Sequence, residues 1–228
     1  MRTGGYYVSG GRILTPFEGF DVYSALGFAW KGLDAVHGKP IGFFEGKESN
    51  DYSAIFNETK VSDMVNMGSM QPVYFGSFRN TINYHAFELS FNISYQLGHK
   101  FRRLSFDSNG FWDREVGHKD YELRWQKPGD ELHTNVPALT YPLSYNESQF
   151  YAYSAALIEP ADQIKLRDIQ LGYNLSSLNK KLFKEFRVYG YVNNICTIWR
   201  ANKLGLDPEF GQTYPDPRSY SLGFSCKF

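Results

Sequence analysis

The sequence predicts an all-β chain of about six antiparallel strands that form part of a transmembrane β-barrel, with long loops at one end. Three observations carry this expectation. The stretch Phe87 to Leu97 alternates without a break: Phe87, Leu89, Phe91, Ile93, Tyr95 and Leu97 share one parity, and Glu88, Ser90, Asn92, Ser94 and Gln96 the other. Successive side chains point to opposite faces of a strand, so this segment has one apolar and one polar face. The last stretch repeats the pattern, with Tyr220, Leu222, Phe224, Cys226 and Phe228 set against Ser219, Ser221, Gly223, Ser225 and Lys227. Finally, the connections between predicted strands run long, very short, very long, short and medium, as in barrels whose turns are short on one side of the membrane and long on the other.

Bulk composition narrows the class. Lys plus Arg and Asp plus Glu number 24 each among 228 residues, which leaves no basic footprint for nucleic acid. Aromatic residues make up 18% of the chain. That content suits aromatic girdles on a lipid face, and equally an aromatic sugar-binding surface. No apolar run is long enough for a transmembrane helix, and a barrel spans without one. The start, Met1 to Tyr7, lacks the apolar core of a secretory signal. A secreted barrel needs one, so the expectation is a fragment or a truncated reading frame. Cys196 and Cys226 read as small hydrophobes within strands rather than a disulfide framework.

Taken in order, residues 1 to 21 are Gly- and Tyr-rich and irregular. Val22 to Trp30 is the first strand candidate. Gly32-Leu33-Asp34 then opens a long loop in which Asn50-Asp51 and Ser62 are candidate helix N-caps. Val61, Met64 and Val65 fall at helical spacing, which predicts a short helix over Val61 to Met67. Val73 to Tyr84 is a strand, His85-Ala86 a tight turn, and Phe87 to Leu97 the next strand, 11 residues long and enough to cross a bilayer at a tilt. Residues 102 to 159 form a long polar segment in which Asp120 to Trp125 is a helical turn stopped before Pro128.

Ile164 to Leu175 is a strand whose apolar parity changes near Arg167-Asp168, which predicts a β-bulge. Ser176 to Lys184 is a short basic connection. Phe186 to Trp199 follows, with its own parity change near Asn193-Asn194. Lys203 to Asp216 is the last loop. Gly-Leu-Asp occurs twice, at 32 to 34 and 205 to 207, each time shortly after Trp beside a cation, a pairing that fits a membrane–water interface.

The residues offer no catalytic constellation. His37, His85, His99, His118 and His133 show no metal-ligand spacing, and no nucleophile elbow or phosphate loop is present. No cofactor and no enzyme activity are expected. Asp51, Asp207 and Glu209 are weighed as calcium ligands against loop capping, with capping preferred. Trp112, Arg124, Trp125, Tyr141, Tyr145 and Tyr151 lie in the longest loop. They are candidates to stack on a ligand or to meet a lid protein, and equally to pack the loop upon itself.

Several stretches together resemble the C-terminal part of SusC/RagA-type TonB-linked outer-membrane transporters. These are YSALGFAWKGLD at 23 to 34, DYSAI at 51 to 55, GSMQPVYFG at 68 to 76, and RWQKPGD with TNVP at 124 to 137. They continue with IKLRDIQLGY at 164 to 173, the segment 187 to 198, GLDPE at 205 to 209 and the terminal YPDPRSYSLGFSCKF. The resemblance implies a 22-stranded barrel of which residues 1–228 supply the C-terminal strands, with the plug domain and signal peptide absent. It implies import of glycans or peptides, capped by a SusD-like surface lipoprotein and driven by TonB through the missing N-terminal part. It further implies that the barrel-assembly machinery reads the last strand through Tyr220, Leu222, Phe224 and Phe228. A soluble β-sandwich carbohydrate-binding module and a non-functional transporter remnant stay open beside this reading.

Overall fold

The structure is a computed structural model and describes residues 18–114, 117–175, 185–210 and 214–227. Outside them lie residues 1–17 of the start expected to be irregular, the expected connection at 176–184 and Phe228. The chain divides into two compact units, Met1–Gln71 with Lys100–Glu159, and Pro72–His99 with Pro160–Phe228.

The first unit is built from the two longest connections. It opens with β1 (Ser24–Gly27), β2 (Trp30–Leu33), β3 (Pro40–Phe44) and β4 (Lys47–Ser49). The expected strand over Val22 to Trp30 therefore divides. At the break, Phe28 forms a bridge with Ser154, with Phe28 N–H donating to the Tyr153 carbonyl and Ala155 N–H donating to the Phe28 carbonyl. Gly27 permits this approach, because a Cβ there would stand 2.7 Å from the Ala155 nitrogen.

Next come α1 (Tyr52–Glu58) and β5 (Val65–Ser69), which pairs with β1. Asp51 caps α1 by accepting from Ala54 N–H at 3.0 Å. The helix expected over Val61 to Met67 is replaced by a 3-10 turn at Val61–Asp63 followed by β5. Val61 and Met64 are buried as helical spacing demands. Pairing with β1, however, extends the backbone from Val65 onward, and tertiary pairing outweighs local propensity there.

The rest of this unit comes from the second long connection, once the chain has passed through β6 (Tyr74–Tyr84) and β7 (Phe87–Leu97). It holds β8 (Lys100–Arg102), α2 (Ser108–Arg114), α3 (Tyr145–Ala152) and β9 (Ile158–Pro160), with β8 paired to β9. The expected turn before Pro128 is a 3-10 helix at Lys119–Leu123. Phe28, Tyr52, Ile55, Met64 and Phe150 form the core, so both connections contribute to it. Phe150 stacks on Tyr52 and Trp30 with ring centroids 5.7 and 6.1 Å away. Loops of this length need such internal packing to hold a shape.

The second unit is one antiparallel sheet in the order β12-β11-β10-β7-β6, completed by β10 (Gln163–Asn174), β11 (Glu185–Arg200) and β12 (Ser219–Lys227). It has five strands because the first expected strand lies in the other unit. His85, at φ 53°, and Ala86 make the two-residue turn between β6 and β7. The parity changes read in β10 and β11 are irregularities of pairing. The register shifts between Leu166 and Asp168 against both neighbours, and Asn194 has φ 56°. The extra residue returns Leu166 and Ile169 to one face.

Candidate functional site

Register across the sheet sorts its side chains into two chemically opposite faces. On one face Ile82, Leu89, Leu171, Gly190 and Leu222 lie in one row, and Tyr84, Phe87, Tyr173, Val188 and Phe224 in the next. Further rows carry Phe91, Ile169, Val192 and Tyr220, interrupted on β6 by Asn80, then Phe78, Ile93, Leu166 and Cys196. These side chains are largely uncovered: Tyr220 is 70% exposed, Leu222 83% and Phe224 73%. A soluble sheet buries such a face, because leaving it in water costs about 25 cal/mol per Å².

Aromatic residues stand at both ends of the apolar face. Tyr84, Phe87, Tyr173 and Phe224 mark one end, and Tyr95 and Trp199 the other. The intervening length of β6, from Tyr84 to Gly76, is about 27 Å at a strand's rise. Tilted by about 40°, it spans about 20 Å, near the height of the apolar band of an outer-membrane barrel.

The opposite face is polar and cross-linked. Arg79 Nη2 donates to Asp168 Oδ2 at 2.8 Å, and Asn92 Nδ2 donates to the same oxygen at 3.3 Å. Thr81 donates to Ser90, Gln163 to Gln96, and Arg187 pairs with Glu88. The bulge turns Arg167 and Asp168 toward this face together, and Arg167 Nε donates to Ser94 Oγ at 2.6 Å.

The loop between β11 and β12 folds back onto the polar face. Lys165, only 4% exposed, donates to both Asp207 oxygens and to Glu209. Arg167 forks onto Glu209, one contact being 2.8 Å. Burial pushes the Glu209 carboxyl up, but the hydrogen bonds and charges of Arg167 and Lys165 outweigh it and hold the group at about 2. Asn202 closes the loop by exchanging two hydrogen bonds with Leu206. Asp207 and Glu209, weighed above as calcium ligands, are thus neutralised by side chains. Among the described residues no group of His, Cys, Asp and Glu is placed to hold a metal ion.

The loop candidates of the first unit do not converge. Trp125 is buried: its indole covers Gly38, where φ is +65° and a Cβ would stand 2.3 Å from the ring, and its Nε1 donates to Glu131. Arg124 lies over the Tyr121 ring with its carbon 3.9 Å from the centroid. Tyr151 is buried against Ser105, and burial is the main reason its hydroxyl is pushed up to about 12. Trp112, Tyr141 and Tyr145 are exposed and offer aromatic area to solvent. In the sheet, Tyr220, Leu222 and Phe224 share the apolar face of β12, an edge of the sheet. Phe228 lies outside the described residues.

Sequence reading missed the charged groups of the polar face. Arg79 lies 89 residues from Asp168, and Lys165 and Arg167 lie 42 residues from Asp207 and Glu209, so only the fold gathers them. The one available signal was two carboxylates two residues apart in GLDPE, opposite the two cations of IKLRD at the same spacing.

Comparison with known proteins fits these two faces. No family model matches the chain. A TonB-dependent receptor of Formosa agariphila (strain DSM 15362) is 28% identical over 199 residues, which are 78% of this chain and 18% of that protein. The RagAB peptide importer, solved in an open-open and in a closed-closed state, superposes with a TM-score of 0.62 at 22% identity. That match covers 89% of this chain and 22–23% of the solved one. The chain resembles the SusC/RagA type of TonB-dependent transporter. It spans about a fifth of the length of the relatives it matches. Such SusC/RagA-type proteins sit in the outer membrane of Gram-negative bacteria, and a sheet with one uncovered apolar face and one cross-linked polar face is the wall that this location requires.

Proposed function

We propose that residues 1–228 form the C-terminal part of a 22-stranded, TonB-linked barrel that imports glycans or peptides across the outer membrane. The observation that carries this reading is the five-stranded sheet itself. Its apolar face is uncovered, its polar face is ion-paired, and within the described residues it ends on two unpartnered strands, β6 and β12. A sheet with open edges is costly in lipid and aggregation-prone in water, so the wall needs further strands. In this reading the apolar face meets lipid and the polar face lines the lumen. The long connections face the outside, where Trp112, Tyr141 and Tyr145 are the candidates to meet a SusD-like lipoprotein or its cargo. TonB acts through a plug domain that precedes this segment in the parent protein. The barrel-assembly machinery takes β12 by its free edge and by the row Tyr220, Leu222 and Phe224, in the manner of strand addition.

The test uses the full-length protein in outer-membrane vesicles, spin-labelled singly at Leu89, Phe91, Ile93, Leu222 and Phe224 and, on the other face, at Gln170 and Ser221. Oxygen accessibility is expected at the first set and a water-soluble relaxant's accessibility at the second. The first set in water would reject the barrel wall. Import is read separately, as TonB-dependent uptake of labelled oligopeptides and oligosaccharides with and without the gene. Equal uptake would reject the transport role.

A further inference from the structure

We propose that a hollow on the apolar face, floored by Gly190, holds one acyl chain of a phospholipid from the leaflet on the side of the two-residue turn. The inference rests on the barrel reading and adds a lipid site to it. Gly190 lies in register between Leu171 of β10 and Leu222 of β12. With no side chain there, those two residues face each other across an empty strand position, about 10 Å apart at ordinary strand spacing. A Cβ built on Gly190 would meet nothing within 4 Å. Ile169, Val192 and Tyr220 continue the walls, and the hollow, open toward the outside, has a volume of about 420 Å³.

The chemistry selects the occupant. The wall side chains on this face are apolar apart from the Tyr220 hydroxyl and bring no charge; Tyr191 and Ser221 also border the hollow but belong to the opposite parity of their strands. A glycan or a peptide would leave polar groups unpaired there, whereas a chain of methylenes has none to satisfy. In a bilayer such a chain gains little from leaving its neighbours, since they are as apolar as the protein. It does gain dispersion contacts with the floor and walls of a space that the protein leaves open, and an unfilled hollow loses them. Depth selects the leaflet. The Leu171–Gly190–Leu222 row lies one step inward from the aromatic row of Tyr84, Phe87, Tyr173 and Phe224, next to the His85-Ala86 turn. One step is about 7 Å of strand, which is acyl-chain rather than head-group depth on that side.

The experiment uses the full-length protein in vesicles of phosphatidylethanolamine and phosphatidylglycerol. A trace of phospholipid carries a photoreactive diazirine midway along one acyl chain. After photolysis, adducts are mapped by mass spectrometry. Segments 169–171, 190–192 and 220–222 are expected to carry several-fold more adduct than Leu89 and Phe91, which share the face but do not line this hollow. Gly190→Leu, which fills the floor, should bring them down to the level of Leu89, with the heat-modifiable barrel band unchanged. Val192→Phe fills the same space from the side and guards against a folding defect in the first variant. Even labelling over the face in the wild type, or adduct that survives both filling variants, overturns the inference. No adduct anywhere on the apolar face would instead sink the barrel reading, and the lipid site with it.

Discussion

Lys165 and Asp207 form an ion pair 2.6 Å long, with the lysine almost wholly buried in the polar face of β10 and the aspartate in the loop that follows β11. Glu209, 2.8 Å from the same Nζ, completes the cluster together with Arg167. Forty-two residues separate the pair in sequence. A buried ammonium is tolerated only when its charge is met.

Lys165→Met should therefore cost about 3–5 kcal/mol, because it leaves carboxylates beside a buried apolar stem. Asp207→Asn should cost less, about 1–3 kcal/mol, since Glu209 still faces the lysine. Amide exchange over residues 202–210 in the refolded full-length barrel checks both. Equal exchange in wild type and Lys165→Met would show that the loop is held by something else.

Adjacent residues of β12 should respond oppositely to the same charge. Leu222→Arg places a cation on the apolar face, one step inside the aromatic row, and should cost about 1–3 kcal/mol, between the midplane and interface values. Ser221→Arg places it on the polar face and should cost much less. The measure is the urea dependence of barrel unfolding in vesicles. Similar losses for the two variants would contradict the assignment of faces.

Arg102 should be a keystone of the first unit. Its Nη1 donates to the carbonyls of Ala152 and Ser154 at 3.2 and 3.0 Å, and its Nη2 to that of Leu26. Burial draws its pKa down to about 10, against the pull of Tyr153, so it stays charged at neutral pH. Arg102→Met leaves three carbonyls without their donor and should cost about 3 kcal/mol. Limited proteolysis should then cut within residues 100–159 while the sheet survives. Resistance equal to wild type would remove Arg102 from this role.

The turn after the first Gly-Leu-Asp should fail in acid. Burial pushes Asp34 upward, but hydrogen bonds from the N–H groups of Lys39, His37 and Val36 outweigh it and hold the carboxyl below its ordinary value of 3.8. A carboxylate depressed in the folded state stabilises above its unfolded pKa, and that contribution disappears as the pH falls through the folded value. Amide exchange at Val36, His37 and Lys39 should be slow at neutral pH and rise below about pH 4. Asp34→Ala should abolish the protection at both pH values, at a cost of about 1–2 kcal/mol. Protection unchanged by either treatment would refute the capping role.

Alternation along each strand was enough to set the faces of the sheet. Strict alternation in Phe87–Leu97 and Ser219–Lys227 fixes which side chains share a side, because a slip of one residue would exchange every one of them. Even the bulges at Arg167 and Asn194 were legible as changes of parity. What alternation cannot state is which strand neighbours which. β7 pairs with β10 across the whole second connection, and only that pairing brings Arg79 to Asp168. The long connections were less legible still. Val61, Met64 and Val65 satisfy helical spacing, yet β1 draws Val65 into a strand. Trp125 looks free in a polar loop, yet Gly38, almost ninety residues earlier, supplies the bare surface that buries it. Local pattern decides the direction of a side chain relative to its own strand, while burial depends on partners that chain entropy keeps distant until the whole unit closes.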